Sequence, residues 1–227
     1  MEMSNTFSQW VEQRSGEKIC VIMRGIPNSG KSFTAKEMLK KYGGGDPYDH
    51  IFSTDDYWIQ DLIKEKRQKL ANNEPIDHQF YDELERDTYR SNWNPDKLGS
   101  AHGWNFYRFK NAVDRWITPI VVDNTNVTAR EIAHYAKYAK NAGYKIIIQE
   151  PTSPWWQDHR HMLNDKQKHG TELENFARFL AGYHQGMEQK YNAKGNQHGV
   201  PLDVIRRMIR RWQPNLSVDE VLNGRDE

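Results

Sequence analysis

The sequence predicts an α/β domain with a central parallel sheet and helices on both faces. Three observations carry this expectation. Short apolar runs alternate with stretches of helical periodicity, and a glycine-rich turn directly follows the first apolar run. The length of 227 residues is enough for one full core and short for two.

The first element is the run Lys18 to Arg24, short and apolar, which reads as a buried parallel strand. A Gly/Pro/Asn/Ser turn follows, then a helix from about Lys31 to Tyr42 that breaks at Gly43-Gly44-Gly45. A second strand is expected at 49–53, ending in Ser53-Thr54-Asp55-Asp56. Residues 56–117 read as mostly helical, with interruptions near Asn72-Asn73-Glu74-Pro75 and Asn92-Trp93-Asn94-Pro95. Pro119 to Asp123 reads as a third strand, and Tyr144 to Glu150 as a fourth. Between them, Thr128 and Glu131 have the spacing of a capping box, continued by Ile132, Tyr135, Ala136 and Ala139 at helical intervals. After Pro154-Trp155-Trp156 the chain is helical and basic. One helix is expected from about Glu172 to Tyr191 and a last one from Leu202 to Trp212.

Composition narrows the class. Hydrophobic residues at 37% and charged residues at 28% suit a soluble globular chain. No run approaches the roughly 18 apolar residues of a membrane helix. Met1 to Trp10 lacks the pattern of a signal peptide, so a cytoplasmic protein with no membrane association is expected. The single cysteine, Cys20, lies in an apolar run and is expected to be a buried, reduced thiol. A net charge of +1 and a pI near 7.8 give no global nucleic-acid signature, so any such site would be local. Aromatic residues make up 12% of a chain whose mean hydropathy is −0.96, which predicts that some rings face a binding surface. With one Cys and no His-Glu-x-x-His spacing, a zinc cluster is not expected.

Gly25-Ile26-Pro27-Asn28-Ser29-Gly30-Lys31-Ser32 matches G-x-x-x-x-G-K-[ST]. In such a loop the glycines let backbone N–H groups turn inward around phosphate, and the following helix adds its positive end. The expected ATP-binding set is Gly25, Pro27, Asn28, Ser29, Gly30, Lys31, Ser32 and Phe33. Lys31 would reach the β and γ phosphates, and the Ser32 hydroxyl would ligate Mg²⁺.

Two carboxylate positions follow strands. Asp55, with Asp56, falls just after the second strand, where ligands bind in such sheets. Asp55 reads either as a base that takes a proton from an acceptor hydroxyl or as a helix N-cap. Asp123 ends the third strand, the usual place for a carboxylate that holds Mg²⁺ through water. Asn124, Thr125 and Asn126 continue from it toward the same edge. No Asn-Lys-x-Asp signature occurs, which weighs against a GTPase.

Taken with Ser53 to Tyr57 and Val122 to Asn126, the Gly25–Ser32 loop resembles that of the bacteriophage-type polynucleotide 5′-kinases. The three segments resemble more closely the Nedd-four-binding-protein-two-like P-loop family. Two further stretches fit those relatives: Leu98 to Asn105 with Arg108, and His198-Gly199-Val200-Pro201 followed by Ile205, Arg207 and Met208. The resemblance runs from about residue 19 to 212. It implies a three-layer P-loop kinase fold with a helical lid: a core over about 18–150, acceptor-side helices over about 56–117, and lid plus C-terminal helix over about 155–213. It also implies phosphoryl transfer from ATP to a hydroxyl, with the 5′-OH of RNA or DNA foremost. Lys31, Asp55 and Asp123 would be the catalytic residues, Asp55 as base. Tyr57, Trp58, His102, Trp104, Asn105, Arg108, Asn124 and Asn126 would line the acceptor side.

Two departures stand out. Trp58 occupies the position where the phage-type kinases carry an acceptor-phosphate arginine, and Gly195 stands where the lid arginine is expected. Leu163 to Gly170 resembles the lid segment a second time, so 171–193 reads as an insertion, and Arg160, Lys166, Lys168 or Lys194 would supply the missing charge. Lys166, Lys194, His198 and Arg207 form the expected lid set. Arg206, Arg207, Arg210 and Arg211 read either as a phosphate-tracking patch or as a solvated helix face. A small-molecule kinase and a nucleotide-binding regulatory module remain open. No 3′-phosphatase activity is expected, since no Asp-x-Asp-x-Thr motif is present.

Overall fold

In a computed structural model, residues 16–183, 190–191 and 199–224 are described. Four strands form one parallel sheet: β1 (Ile19–Met23), β2 (Ile51–Phe52), β3 (Ile120–Val122) and β4 (Lys145–Gln149). Their spatial order is β2-β3-β1-β4. β1 is central, with Cys20 opposite both Ile120 and Ile146. Because β1 is covered on both faces, it reads as a continuous apolar run rather than an alternating one.

Ten α-helices are found among the described residues, besides short 3₁₀ turns. They are α1 (Lys31–Lys41), α2 (Pro47–His50), α3 (Gln60–Ala71), α4 (His78–Asn92), α5 (Leu98–Asp114), α6 (Ala129–Asn141), α7 (Pro154–His159), α8 (Gly170–Leu180), α9 (Leu202–Arg211) and α10 (Val218–Asn223). A 3₁₀ turn, Thr54–Ile59, joins β2 to α3. Strand residues Cys20, Ile22, Ile120 and Val122 face a core built with Phe109 of α5 and Ile132, Tyr135, Ala136 and Ala139 of α6. Val21, Met23 and Val121 face Ala35 and Met38 of α1. These are the three layers. A separate cluster, with Trp156, Leu163, Phe176, Leu180, Ile205 and Trp212, unites α7, α8 and α9 into the helical lid and reaches Ile26 of the glycine-rich loop.

Several boundaries differ from the sequence expectation. The second strand is only Ile51–Phe52, because Asp46 accepts a hydrogen bond from the Tyr48 N–H and folds 47–50 as a short helix. The lid helix ends at Leu180 rather than near Tyr191, where Gly182 takes a φ of +81°. At the start of α6, Thr128 makes no side-chain cap. Glu131 instead accepts from the Val127 N–H at 2.7 Å and pairs with Arg211.

Arg24, at the end of β1, is 1% exposed and ties the loop strand to the C-terminal segment. Its Nη2 donates to the carbonyls of Val127 (3.3 Å) and Gln213 (2.6 Å), and its guanidinium lies 3.9 Å from the centre of the Trp212 ring. Burial pulls its pKa down to about 10, with Glu150 opposing the shift. Truncating such a group strands its carbonyl partners in the interior. Arg24→Ala is therefore expected to lower stability by about 3 kcal/mol and to raise amide exchange in 213–224. Denaturant titration with hydrogen exchange checks this, and a loss under about 1 kcal/mol contradicts it.

The 3₁₀ turn is fixed to α5 by Arg108. Its Nη1 donates to Asp56 Oδ2 at 2.8 Å, and the guanidinium lies 4.6 Å from the Trp104 ring centre. Burial outweighs that partner and pushes the Asp56 carboxyl up to about 6. Its folded pKa thus lies above the ordinary value of about 3.9, so the folded state binds this proton more tightly than the unfolded chain does. Its contribution to stability is full below pH 4 and is lost as pH rises through about 6. Arg108→Ala leaves the ionised carboxylate without its partner. It is expected to cost about 1–3 kcal/mol, more at pH 8 than at pH 5, with the pH difference abolished in an Asp56→Asn background. Thermal unfolding at the two pH values reads this, and an equal cost at both contradicts it.

Candidate active site

The site is built at the C-terminal edge of the sheet, where β1 runs into the loop Gly25–Gly30. The Gly25 N–H donates to the Thr125 carbonyl at 2.7 Å, which draws the loop against the segment after β3. Two residues adopt left-handed backbone, Asn28 (φ 64°) and Gly30 (φ 88°). At Gly30 a side chain would meet Ser153 Cβ at 2.9 Å, and at Gly25 it would meet Ser29 Oγ at 2.6 Å. Gly30 is required by conformation as well as by space, and Gly25 by space alone.

Gly30 stands at the N-cap of α1 and supplies no side-chain cap. The first-turn N–H groups of α1 therefore converge with the helix dipole on the loop's concavity, an arrangement suited to an anion. Lys31 lies there, half-buried, with its Nζ donating to the Ile26 carbonyl at 3.2 Å. Desolvation pulls its pKa down, while Asp123 and then Asp55 pull it up. The two carboxylates expected from the sequence are thus within electrostatic reach of one lysine. Ser32 is exposed beside it, and Phe33 is 64% exposed on the same turn. Pro27 is partly exposed in the loop.

A segment after β4 straps the loop in place. Ser153 Oγ donates to the Ser29 carbonyl at 2.7 Å, and Trp155 Nε1 donates to the Asn28 carbonyl at 3.0 Å. The Thr152 N–H donates to Thr34 Oγ1 on α1 at 3.0 Å. Sequence reasoning missed this strap. Its signal was Thr152-Ser153-Pro154 directly after an apolar strand, a helix N-cap that parallel topology delivers to the loop's side of the sheet. On the lid side, Asn28 Nδ2 donates to the Leu180 carbonyl at the end of α8, at 2.9 Å.

Asp123 follows β3 and is 7% exposed, with its N–H donating to the Phe52 carbonyl at 2.9 Å. Asp55 is exposed in the 3₁₀ turn and accepts a hydrogen bond from Tyr89 Oη at 3.3 Å. It is not the cap of that turn. Ser53 is, its hydroxyl accepting from the Asp55 N–H. Asn124 joins the two carboxylate segments, since its Oδ1 accepts from the Thr54 N–H at 2.9 Å and its Nδ2 donates to Tyr135.

The acceptor-side residues divide. Tyr57 and Trp104 are half-buried, with ring centres 5.7 Å apart, and Arg108 lies on Trp104. His102 is exposed, and its Nδ1 lies 3.2 Å from Thr54 Oγ1. A cleft of about 240 Å³ opens between the 3₁₀ turn and α4, lined by Tyr57, Gln60, Thr88, Asn92 and Lys97 among others. Three expected residues face inward instead. Trp58 is 3% exposed and packs with Tyr89 and Ala101, so it offers no face for stacking. Asn105 is fully buried, and its amide donates to the Phe52 carbonyl and Tyr135 Oη. Asn126 is 3% exposed and its amide donates to the Met23 carbonyl, fixing the end of β1.

The lid set is also corrected. Lys166 Nζ donates to the carbonyls of Arg210 (2.9 Å) and Trp212 (2.7 Å), capping the end of α9 rather than facing the loop. Arg160 pairs with Glu150 at 3.0 Å. Arg206 pairs with Glu174 and Arg211 with Glu131, so half of the basic patch is already neutralised. Arg207 is exposed on α9. Lys194, Gly195 and His198 lie outside the described residues.

The residues present fit a nucleoside triphosphate with Mg²⁺. The concavity offers uncapped N–H groups and a lysine to phosphate, and the Ser32 hydroxyl and Asp123 carboxylate are hard oxygen donors of the kind Mg²⁺ takes. No described helix is long and apolar enough to cross a membrane.

Comparison with known proteins agrees with this geometry. A family model described as an AAA domain matches residues 20–215. The chain is 31% identical over 165 residues to human NEDD4-binding protein 2, covering 73% of this chain and 8% of that protein. It is 29% identical over 205 residues to rat YLP motif-containing protein 1, covering 87% of this chain and 11% of that one. The human form of the latter is 30% identical over 142 residues, 59% of this chain and 6% of its own length. The chain therefore spans about a tenth of the length of these relatives. With the loop, the parallel sheet and the family match together, the chain belongs to the AAA-domain family of P-loop proteins.

Proposed function

We propose that this protein transfers the γ-phosphoryl group of ATP to the 5′-hydroxyl of a nucleic-acid strand. The observation that carries the reading is the grouping around Lys31 of Asp123 and Asp55, one carboxylate nearly buried and the other exposed. A pair so divided suits two roles, a metal-side ligand and a base open to an incoming hydroxyl.

In this reading the N–H groups of the loop and of the first turn of α1 hold the β and γ phosphates, with Lys31 neutralising their charge. Ser32 and Asp123 would hold Mg²⁺, which when bound screens the phosphate oxygens and polarises the group in transit. Asp55 accepts the proton of the acceptor hydroxyl as its oxygen attacks phosphorus. Tyr57, on the same turn as Asp55, meets Trp104, and with Arg108 on Trp104 and paired to Asp56 the three would form an aromatic and cationic wall. Such a wall favours a base and its phosphate over a small aliphatic acceptor. The cleft along the same turn offers room beyond the first nucleotide.

The test is transfer of labelled γ-phosphate to a panel of 5′-OH RNA and DNA oligonucleotides and common nucleosides. Lys31→Ala and Asp55→Asn are each expected to lower kcat/KM by at least about 100-fold, with thermal midpoints within a few degrees of the parent. Label on small metabolites alone would move the acceptor to that class. Nucleotide binding with no transfer to any acceptor would make the protein a regulatory module and overturn the proposal.

A further inference from the structure

Helix α4 grips the 3₁₀ turn that carries Asp55 at two points one helical turn apart. Tyr89 Oη donates to Asp55 Oδ1 at 3.3 Å, and Asn92 Nδ2 donates to the Trp58 carbonyl at 2.7 Å. The Tyr89 ring is buried against Trp58 and Ala101, so its hydroxyl reaches Asp55 from a fixed platform. Asp55 itself is exposed, and an exposed aspartate samples several side-chain rotamers unless one oxygen is engaged.

We propose that Tyr89 is a positioning residue. Its hydroxyl engages Asp55 Oδ1 and leaves Oδ2 as the oxygen that takes the acceptor's proton. This inference rests on the reading of Asp55 as the base. As the acceptor oxygen bonds to the γ-phosphorus, the bond from phosphorus to the β–γ bridging oxygen breaks and ADP departs. The acceptor's proton passes to Asp55 Oδ2, and Tyr89 keeps its own proton throughout. Burial and then the Asp55 charge push the Tyr89 phenol well above its ordinary range, so it is a donor across the neutral range. The Asn92 bond fixes the distance between α4 and the turn. Tyr89 therefore acts on the orientation of Asp55 rather than on whether the turn forms.

Tyr89→Phe removes the hydroxyl and keeps the ring. On whichever acceptor the parent protein phosphorylates, the variant is expected to lose kcat by about tenfold, the order that misorientation of a reacting group costs. Acceptor KM should stay within about twofold. In an Asp55→Asn background the same change should cost nothing further, because the two residues act as one unit. An unchanged kcat, or an equal fractional loss in both backgrounds, would overturn the inference. A parent that labels only nucleosides would overturn the nucleic-acid reading and leave this comparison intact on that acceptor.

A second readout needs no turnover. In ¹³Cζ NMR of labelled tyrosine at neutral pH, the Tyr89 resonance should move in Asp55→Asn relative to the parent, since the acceptor of its hydroxyl changes from carboxylate to amide. An unmoved Tyr89 resonance would show that the two groups do not interact and would overturn the inference.

Discussion

A half-buried ammonium at the start of a helix is placed where both desolvation and the helix dipole oppose its charge. Lys31 is in that position, and the carboxylates of Asp123 and Asp55 offset the penalty. The strand order decides which of them does more. β3 lies directly beside β1, and β2 lies beyond β3, so Asp123 at the end of β3 acts on Lys31 more strongly than Asp55 after β2. The parallel sheet thus brings both carboxylates to the edge where this lysine lies. Triphosphate in the loop would meet a lysine already held in place by its neighbours.

The loop depends in turn on what surrounds it. Thr125 holds its first residue, Ser153 and Trp155 hold its middle, and Asn126 and Arg24 fix the strand that feeds it. Asn28 carries this outward to the lid, where it satisfies a carbonyl at the C-terminal end of α8. Loop and lid therefore share a hydrogen bond as well as the apolar contact of Ile26 with the lid cluster. A conformational change in either is felt by the other through a polar group with few alternatives.

The fold was legible where local sequence and tertiary demand agree. Ile19 to Met23 is apolar because β1 is covered on both faces, and Gly25 and Gly30 are glycines because no side chain fits there. Legibility failed where a polar or aromatic residue has more than one physical use. Trp58 and Asn105 follow motifs that suggest an acceptor surface, yet burial assigns them to packing and to backbone carbonyls. Lys166 reads as a lid charge by position, but the unsatisfied carbonyls at the end of α9 claim it. Arg24 closes the first apolar run in the sequence, and only the tertiary structure brings Trp212 and Gln213 to it across the chain. Tyr89 carried no motif at all. Its relation to Asp55 exists only because α4 folds back over the turn.

In the proposed function the labour around Lys31 is divided, the lysine serving nucleotide and Asp55 serving the acceptor. Calorimetric titration of ATP·Mg²⁺ into the parent, Lys31→Ala and Asp55→Asn proteins tests it most directly. Asp55→Asn is expected to bind nucleotide at least as tightly as the parent, since it removes negative charge near the phosphates. Lys31→Ala should bind at least about tenfold more weakly, a loss of about 1.4 kcal/mol. If Asp55→Asn lost nucleotide affinity as Lys31→Ala does, Asp55 would belong to the nucleotide or its metal, and the division would be wrong.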